Sequence, residues 1–279
     1  MKKAFLLLFV FAFLLASCAT PNQTDLLLVS TTSTQDSGLL DVLLPVFHAK
    51  TGYNVRLIAV GSGQALELGG QGNADVILLH SPEAEKEFIK NGFGIDRRLV
   101  MHNDFVIVGP ASDPAALRSQ PALESVFQAI FSARATFVSR GDGSGTHVKE
   151  LAIWENAGID PHGKPWYLET GQAQGATLSN ASEKGGYALT DRGTFLAYQN
   201  NLDLKILYEG DPFLLNVYHI ITVNPEKFPK INVEGAGAFT EFITSPEGQK
   251  IIGELGMEQY GQPLFFPDAG KTDAELGLP

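Results

Sequence analysis

The chain has 279 residues, is 44% hydrophobic and 18% charged, and carries a formal net charge of −11 at pH 7. That acidity makes nucleic acid and anionic membrane surfaces poor partners. Its one cysteine, Cys18, excludes a disulfide within the chain, and beyond the N-terminal run no stretch is apolar for long enough to cross a bilayer.

Met1-Lys2-Lys3 precede an apolar run from Ala4 to Ala16. A basic start, a short apolar core and small residues at its end read as a signal peptide. The run closes on Leu15-Ala16-Ser17-Cys18, the form of a bacterial lipobox. Residues 1–18 are therefore expected to be a leader with Cys18 as lipidation site. The alternative is ordinary cleavage nearby, for example after Ala19. Either way the mature protein is expected outside the cytoplasmic membrane. About 260 residues then remain, enough for two α/β domains of ordinary size.

Asp25–Val29 is short, apolar and bounded, which predicts a buried strand. Leu39, Leu40, Leu43, Leu44 and Phe47 share one face of a following helix. Between them lies Ser30-Thr31-Thr32-Ser33-Thr34-Gln35-Asp36-Ser37-Gly38. This run occupies a strand-to-helix turn, where free N–H groups and the positive end of the helix dipole converge. Such a turn suits an anion. A helix cap needs one residue, yet six of the eight positions from Ser30 to Ser37 carry Ser or Thr. The plainer alternative is a cap at Ser37 or Asp36 within a polar loop.

Tyr53–Val60 alternates as a strand, with Val55, Leu57 and Ala59 on one face, and Gly61-Ser62-Gly63-Gln64 turns into a helix. Ala74–Leu79 is another buried strand. Ser81-Pro82-Glu83-Ala84-Glu85 starts a helix with a cap, Pro at the first position and acids in the first turn. Strand and helix alternate here, so a largely parallel sheet covered on both faces is expected. Arg98–Pro110 is a longer strand, expected to cross into a second domain. Ala122–Ser132 is helical, with Leu123, Val126, Phe127, Ile130 and Phe131 inward. Ala135–Ser139 is a strand, and Arg140-Gly141-Asp142-Gly143-Ser144-Gly145-Thr146-His147 turns into the helix Val148–Ala157. Tyr167–Glu169 and Tyr187–Thr190 are strands, each followed by a helix, from Gln172 and from Asp191. Leu204–Tyr208 and Asn216–Val223 are strands split by the return crossing, Glu209-Gly210-Asp211-Pro212. Gly235–Leu255 is helical and packs on the first domain. Trp154 and Trp166 pack in the second.

A chain that leaves one α/β domain, builds another and returns forms two lobes. Lobe one is expected at 25–108 and 214–279, lobe two at 109–213. Ligands then sit in the cleft, at strand carboxyl ends. Four turns share hydroxyls or glycines: Ser30–Gly38, Gly61–Gln64, Ser139–Thr146 and Thr190–Thr194. Arg140 leads out of a strand into one of them, and a guanidinium donates bidentately to an oxyanion. A salt bridge to Asp142 or Asp191 is the competing use of Arg140. Arg192 is the rival cation, expected to be a solvated charge in a helix's first turn.

The stretch Ser30–Leu40 resembles the first signature of tungstate-binding proteins, the extracytoplasmic receptors of ABC importers. Their pattern is Thr-Thr-Thr-Ser-Thr followed by Ser-Gly-Leu-Leu, and this chain has Ser30 in place of the first Thr. Gly61–Gln64, Ser139–His147 and Ala188–Thr194 extend the resemblance over nearly the whole mature chain. It implies an α/β, two-lobed type II periplasmic-binding-protein fold, with two mixed sheets flanked by helices and a double-crossover hinge. It implies tungstate as ligand, held by Thr31, Thr32, Ser62, Arg140 and Thr146. The residues alone do not choose among Thr31, Thr32 and Ser33. Ser144 is a further candidate, or a helix cap. The resemblance also implies a monomer without cofactor or enzymatic activity. Its partners would be an ABC permease and, through it, an ATPase.

Asp142 and Asp191 bear on ligand identity. Monohydrogen phosphate carries a proton and wants a carboxylate acceptor, whereas tungstate, molybdate and sulfate are unprotonated dianions that a carboxylate repels. Both carboxylates are expected instead to cap helices or orient Arg140. Molybdate and phosphate remain the alternatives to tungstate. His48, His80, His102, His147, His162 and His219 make no metal-ligand spacing; His147, in the first turn of a helix close to the expected cleft, either supports the cleft or, as is more usual, is a surface residue. An extracytoplasmic serine hydrolase is the rival class, but neither Ser62 nor Ser144 has the G-x-S-x-G frame.

Overall fold

The computed structural model describes residues 24–277; the leader and Cys18 lie outside the described residues. In chain order the elements are β1 (Asp25–Thr31), α1 (Thr32–Asp36), α2 (Leu39–Thr51), β2 (Asn54–Val60), α3 (Ser62–Gly70), β3 (Val76–Leu79), α4 (Pro82–Lys90) and β4 (Gly94–Pro110). There follow α5 (Leu123–Ala133), β5 (Phe137–Ser139), α6 (Gly145–Asn156), β6 (Tyr167–Glu169), α7 (Gln174–Lys184), β7 (Ala188–Asp191), α8 (Arg192–Tyr198) and β8 (Leu204–Tyr208). The chain closes with β9 (Leu215–Val223), α9 (Val233–Thr244), α10 (Pro246–Glu254), α11 (Met257–Tyr260) and β10 (Phe266–Pro267).

The mixed α/β architecture is as expected, but the sheet is not largely parallel. Its path is β10-β4-β9-β3-β1-β2, with β7 and β8 also on β4, eight strands in all. Only β1 with β2 and β1 with β3 pair parallel within it; the pairs made by β4 and β9 are antiparallel. The cause is β9, which returns from the far part of the chain and inserts between β3 and β4. The long strand β4 runs through both halves and makes one continuous sheet of them. Residues Gly94–Asp104 pair with β9, and Phe105–Pro110 with β7 and β8. The change of partner thus falls between Asp104 and Phe105, and the return begins at Leu215. A parallel pair, β5 with β6, stands beside β7, which Phe137 meets through Tyr187.

Period-two alternation buries both faces of the first half. Leu26, Leu28, Val76, Leu78 and Ile220 face one cluster, with Leu40, Leu43 and Phe47 of α2 and Phe239 of α9. Val29, Ile77, Leu79 and Ile221 face the other. Phe47 stands edge-on to Phe239, ring centroids 5.1 Å apart. Burying such a ring contributes about 1.5–3 kcal/mol. Trp154, Trp166, Phe127 and Ile130 fill the core of the second half, but Phe131, expected inward, is 42% exposed and touches Trp166 only by its edge. The expected tail helix is two, because Ser245 caps a new helix and Pro246 removes the N–H needed to continue the old one. A buried ionic cluster clips the last segment down: His219 lies 2.9 Å from both Glu85 and Asp273, and Arg97 bonds both carboxylates.

Candidate functional site

Strand registers place the turns. β1 pairs with β2 so that Thr31 lies opposite Val60, which brings the turns after both strands side by side. Thr31 is buried, and its hydroxyl hydrogen-bonds that of Thr34 at 2.7 Å. The expected helix start is in fact two helices: α1 carries the middle of the hydroxyl run, and Gly38, at φ 76°, turns the chain into α2. The side chains of Thr32 and Ser33 lie outside those described. Ser62 opens α3, half-buried, and its hydroxyl makes no hydrogen bond among the described residues.

In the second half, β5, β6 and β7 run parallel and feed α6, α7 and α8 from one edge. Phe105 pairs with Asp191, the last residue of β7, directly after the change of partner on β4. Leu79, the last residue of β3, pairs with His219 on β9, near the end where β9 enters from the crossing. Both carboxyl edges therefore face the crossing between the two halves.

Arg140 leaves β5 there with its side chain 19% exposed. Its Nε and Nη2 donate to Asp142 Oδ2 at 3.1 and 2.5 Å, while Nη1 makes no hydrogen bond among the described residues. The competing salt bridge is thus present, but it occupies the Nε edge alone and leaves the Nη1–Nη2 fork open. Asp142 also accepts the Ser144 N–H at 3.1 Å. Burial raises its carboxyl pKa, but the hydrogen bonds from Ser144 and Arg140 outweigh that and hold it below the usual value. Ser144 caps α6: its Oγ accepts the His147 N–H at 3.4 Å. Thr146 is buried in the first turn of α6.

The surface reading of His147 and the solvated reading of Arg192 both fail here. His147 is buried; its Nδ1 accepts the Gly143 N–H at 3.0 Å, and its Nε2 has no partner among the described residues. Arg192 is not a solvated charge. It is buried and grips Asp104 at 2.7 and 2.6 Å, because the crossing of β4 runs directly beneath the start of α8. Asp191 caps α8, accepting the Thr194 N–H and hydroxyl at 2.8 and 2.7 Å.

The comparisons agree on what these turns belong to. A PBP superfamily domain matches residues 18–247. The tungstate-binding protein TupA of Peptoclostridium acidaminophilum is 48% identical over 254 residues, 90% of this chain and 88% of that protein. The solved tungstate-binding protein TupA from Desulfovibrio alaskensis G20 superposes with a TM-score of 0.83 at 43% identity, covering 88% of this chain and 99% of that one. The tungstate ABC transporter structure from Geobacter sulfurreducens matches at 48% identity and a TM-score of 0.69, over 82% of this chain and 97% of that one. The chain belongs to the tungstate-binding protein family.

One further turn of this tungstate-binding family member escaped the sequence reading. Thr170–Gln174, after β6, holds the backbone of the Arg140 turn: Gly171 N–H donates to the Arg140 carbonyl at 2.7 Å, and the Thr170 hydroxyl to the same carbonyl at 3.3 Å. A Thr-Gly pair after a strand was the available signal. His80, at the carboxyl end of β3, stays neutral near pH 7 because burial holds its pKa down at about 4. Among the described residues no three His, Cys, Asp or Glu are grouped to hold a metal ion.

Glu150 lies one turn along α6 from Thr146, 2% exposed, and accepts from Tyr167 Oη at 2.7 Å and Trp154 Nε1 at 3.2 Å. Burial pushes its pKa up from 4.5 to about 7, against those hydrogen bonds. The folded protein then holds a proton that the unfolded chain has lost between about pH 4.5 and 7. Stability falls as pH rises through that window, by on the order of 3 kcal/mol. Glu150→Gln should remove this slope, so its thermal midpoint should exceed that of the parent at pH 8 and match it near pH 5. Identical pH profiles would contradict the buried-acid account.

Proposed function

We propose that this chain is an extracytoplasmic receptor that captures tungstate between two lobes and delivers it to the permease of an ABC importer. The observation that carries the reading is the open Nη1–Nη2 fork of Arg140, in the turn at the carboxyl end of β5. Closure of the two lobes would bring Thr31, Thr32 or Ser33, and Ser62 from lobe one against Arg140, Thr146 and Ser144 from lobe two. Such a set of neutral donors and one cation suits a dianion in spite of the acidic chain. Lobe one comprises about 25–108 and 214–279, and lobe two 109–213. ATP is used by partner subunits, and the receptor acts as a monomer.

Ligand class follows from the carboxylates. Asp142 already orients Arg140 and Ser144, and Asp191 caps α8 at Thr194, so both carboxylates have structural uses. That fits an unprotonated dianion better than monohydrogen phosphate. Serine hydrolysis is disfavoured because the Ser144 hydroxyl meets the His147 backbone, while the His147 ring faces Gly143. Calorimetric titration with tungstate, molybdate, sulfate and phosphate side by side is the test. Tungstate should bind tightest and phosphate weakest; phosphate in first place would sink the assignment.

A lipid anchor at Cys18 fits an importer receptor held near its permease. Among the described residues no helix is long and apolar enough to cross a membrane. Cys18→Ala should release the protein from membranes or block its processing. Equal, fully soluble mature protein from both forms would remove the anchor.

A further inference from the structure

Arg192 sits at the start of α8 with its side chain 10% exposed. In the antiparallel ladder of β4 and β7, Val106 pairs with Thr190 and Phe105 with Asp191. The next rung of that register would join Asp104 to Arg192. There the backbone ladder stops, because Arg192 opens α8, while Asp104 goes on to pair with Leu215 of β9. The guanidinium takes the place of the missing rung and holds Asp104 through Nε and Nη2. Nη2 also reaches Glu209, which follows β8 on the return crossing. Nη1 lies 3.5 Å from Gln262, in the segment after α11. One side chain therefore bonds the outgoing crossing, the returning crossing and an element of each half.

Backbone ladders resist rotation because every rung must keep its geometry. A side-chain pair between two ladders does not: it can swivel while its hydrogen bonds persist. We propose that the Arg192–Asp104 pair is the pivot of lobe closure, a joint that keeps the two crossings together while the ladders on either side turn. Arg192 is thus a positioning residue that never touches the anion. The proposal rests on the lobe-closure reading above, and the test keeps the two apart.

Spin labels on exposed positions, at Val42→Cys in lobe one and Gln128→Cys in lobe two of a Cys18→Ser chain, would report the interlobe distance by pulsed electron resonance. Sodium tungstate should shorten that distance in the labelled parent. Binding without any change of distance would sink lobe closure, and the pivot with it. Arg192→Lys keeps the charge but loses the fork. Its ligand-free distance distribution should broaden and its tungstate affinity fall roughly tenfold, since more freedom is lost on closure, with the bound distance restored to the parent's. A pair that merely stabilises the fold would lower the thermal midpoint and leave both readouts alone. A folded Arg192→Lys protein with the parent's width and affinity overturns the proposal. Should Arg192→Lys not fold, Asp104→Glu keeps both charges but lengthens the joint by one methylene. A broadened distribution there supports the pivot, and an unchanged one overturns it.

Discussion

Arg140→Glu should abolish tungstate binding in calorimetry. It would place a carboxylate against a dianion at the one fork that Asp142 leaves open. Arg140→Gln removes charge and fork together. A charge-assisted hydrogen bond contributes about 1.5–3 kcal/mol, so affinity should fall roughly 10- to 150-fold. Arg140→Lys keeps the charge yet cannot hold Asp142 on one edge and an oxyanion on the other, so it should lie between Gln and the parent. Asp142→Asn should weaken binding slightly, because the guanidinium loses the partner that orients it. Ser62→Ala and Thr146→Val each remove one neutral donor, at about 1 kcal/mol. The order is the check: an Arg140→Glu protein that binds like the parent would mean that the anion sits elsewhere.

Arg192→Gln should unfold the protein at markedly lower temperature. The guanidinium and Asp104 are both buried, with side chains 10% and 9% exposed. Removing one partner of such a pair leaves the other charge stranded, at a cost of about 3–5 kcal/mol. For a chain of this size each kcal/mol lowers the thermal midpoint by about 2–4 °C, so a drop of roughly 6–20 °C is expected. The double variant Arg192→Met, Asp104→Leu should recover much of the loss, since it strands no charge. Lys90→Gln, which breaks an exposed pair with Glu87, should shift the midpoint little. A drop for Lys90→Gln as large as that for Arg192→Gln would show that the buried pair is not special.

What the amino-acid sequence determined by itself was local. The apolar run before Ser30, the helical face of Leu39 to Phe47 and the glycine-marked turns after β2 and β5 are written in nearest-neighbour chemistry, and each formed where its pattern placed it. The turns that carry the candidate site were legible for the same reason: free N–H groups at a strand-to-helix junction need only a few consecutive residues. Tertiary structure decided the rest. Whether the sheet ran parallel depended on where β9 inserted, a choice made by strands more than a hundred residues apart. Arg140 and Arg192 look alike in the sequence, each following a strand and opening a turn. One keeps an open fork because its carboxylate is two residues away and covers a single edge. The other is sealed against Asp104 because β4 crosses beneath it. Burial and pairing of a charge are properties of the surfaces that meet at it, and those surfaces come from distant segments that no local pattern can bring together.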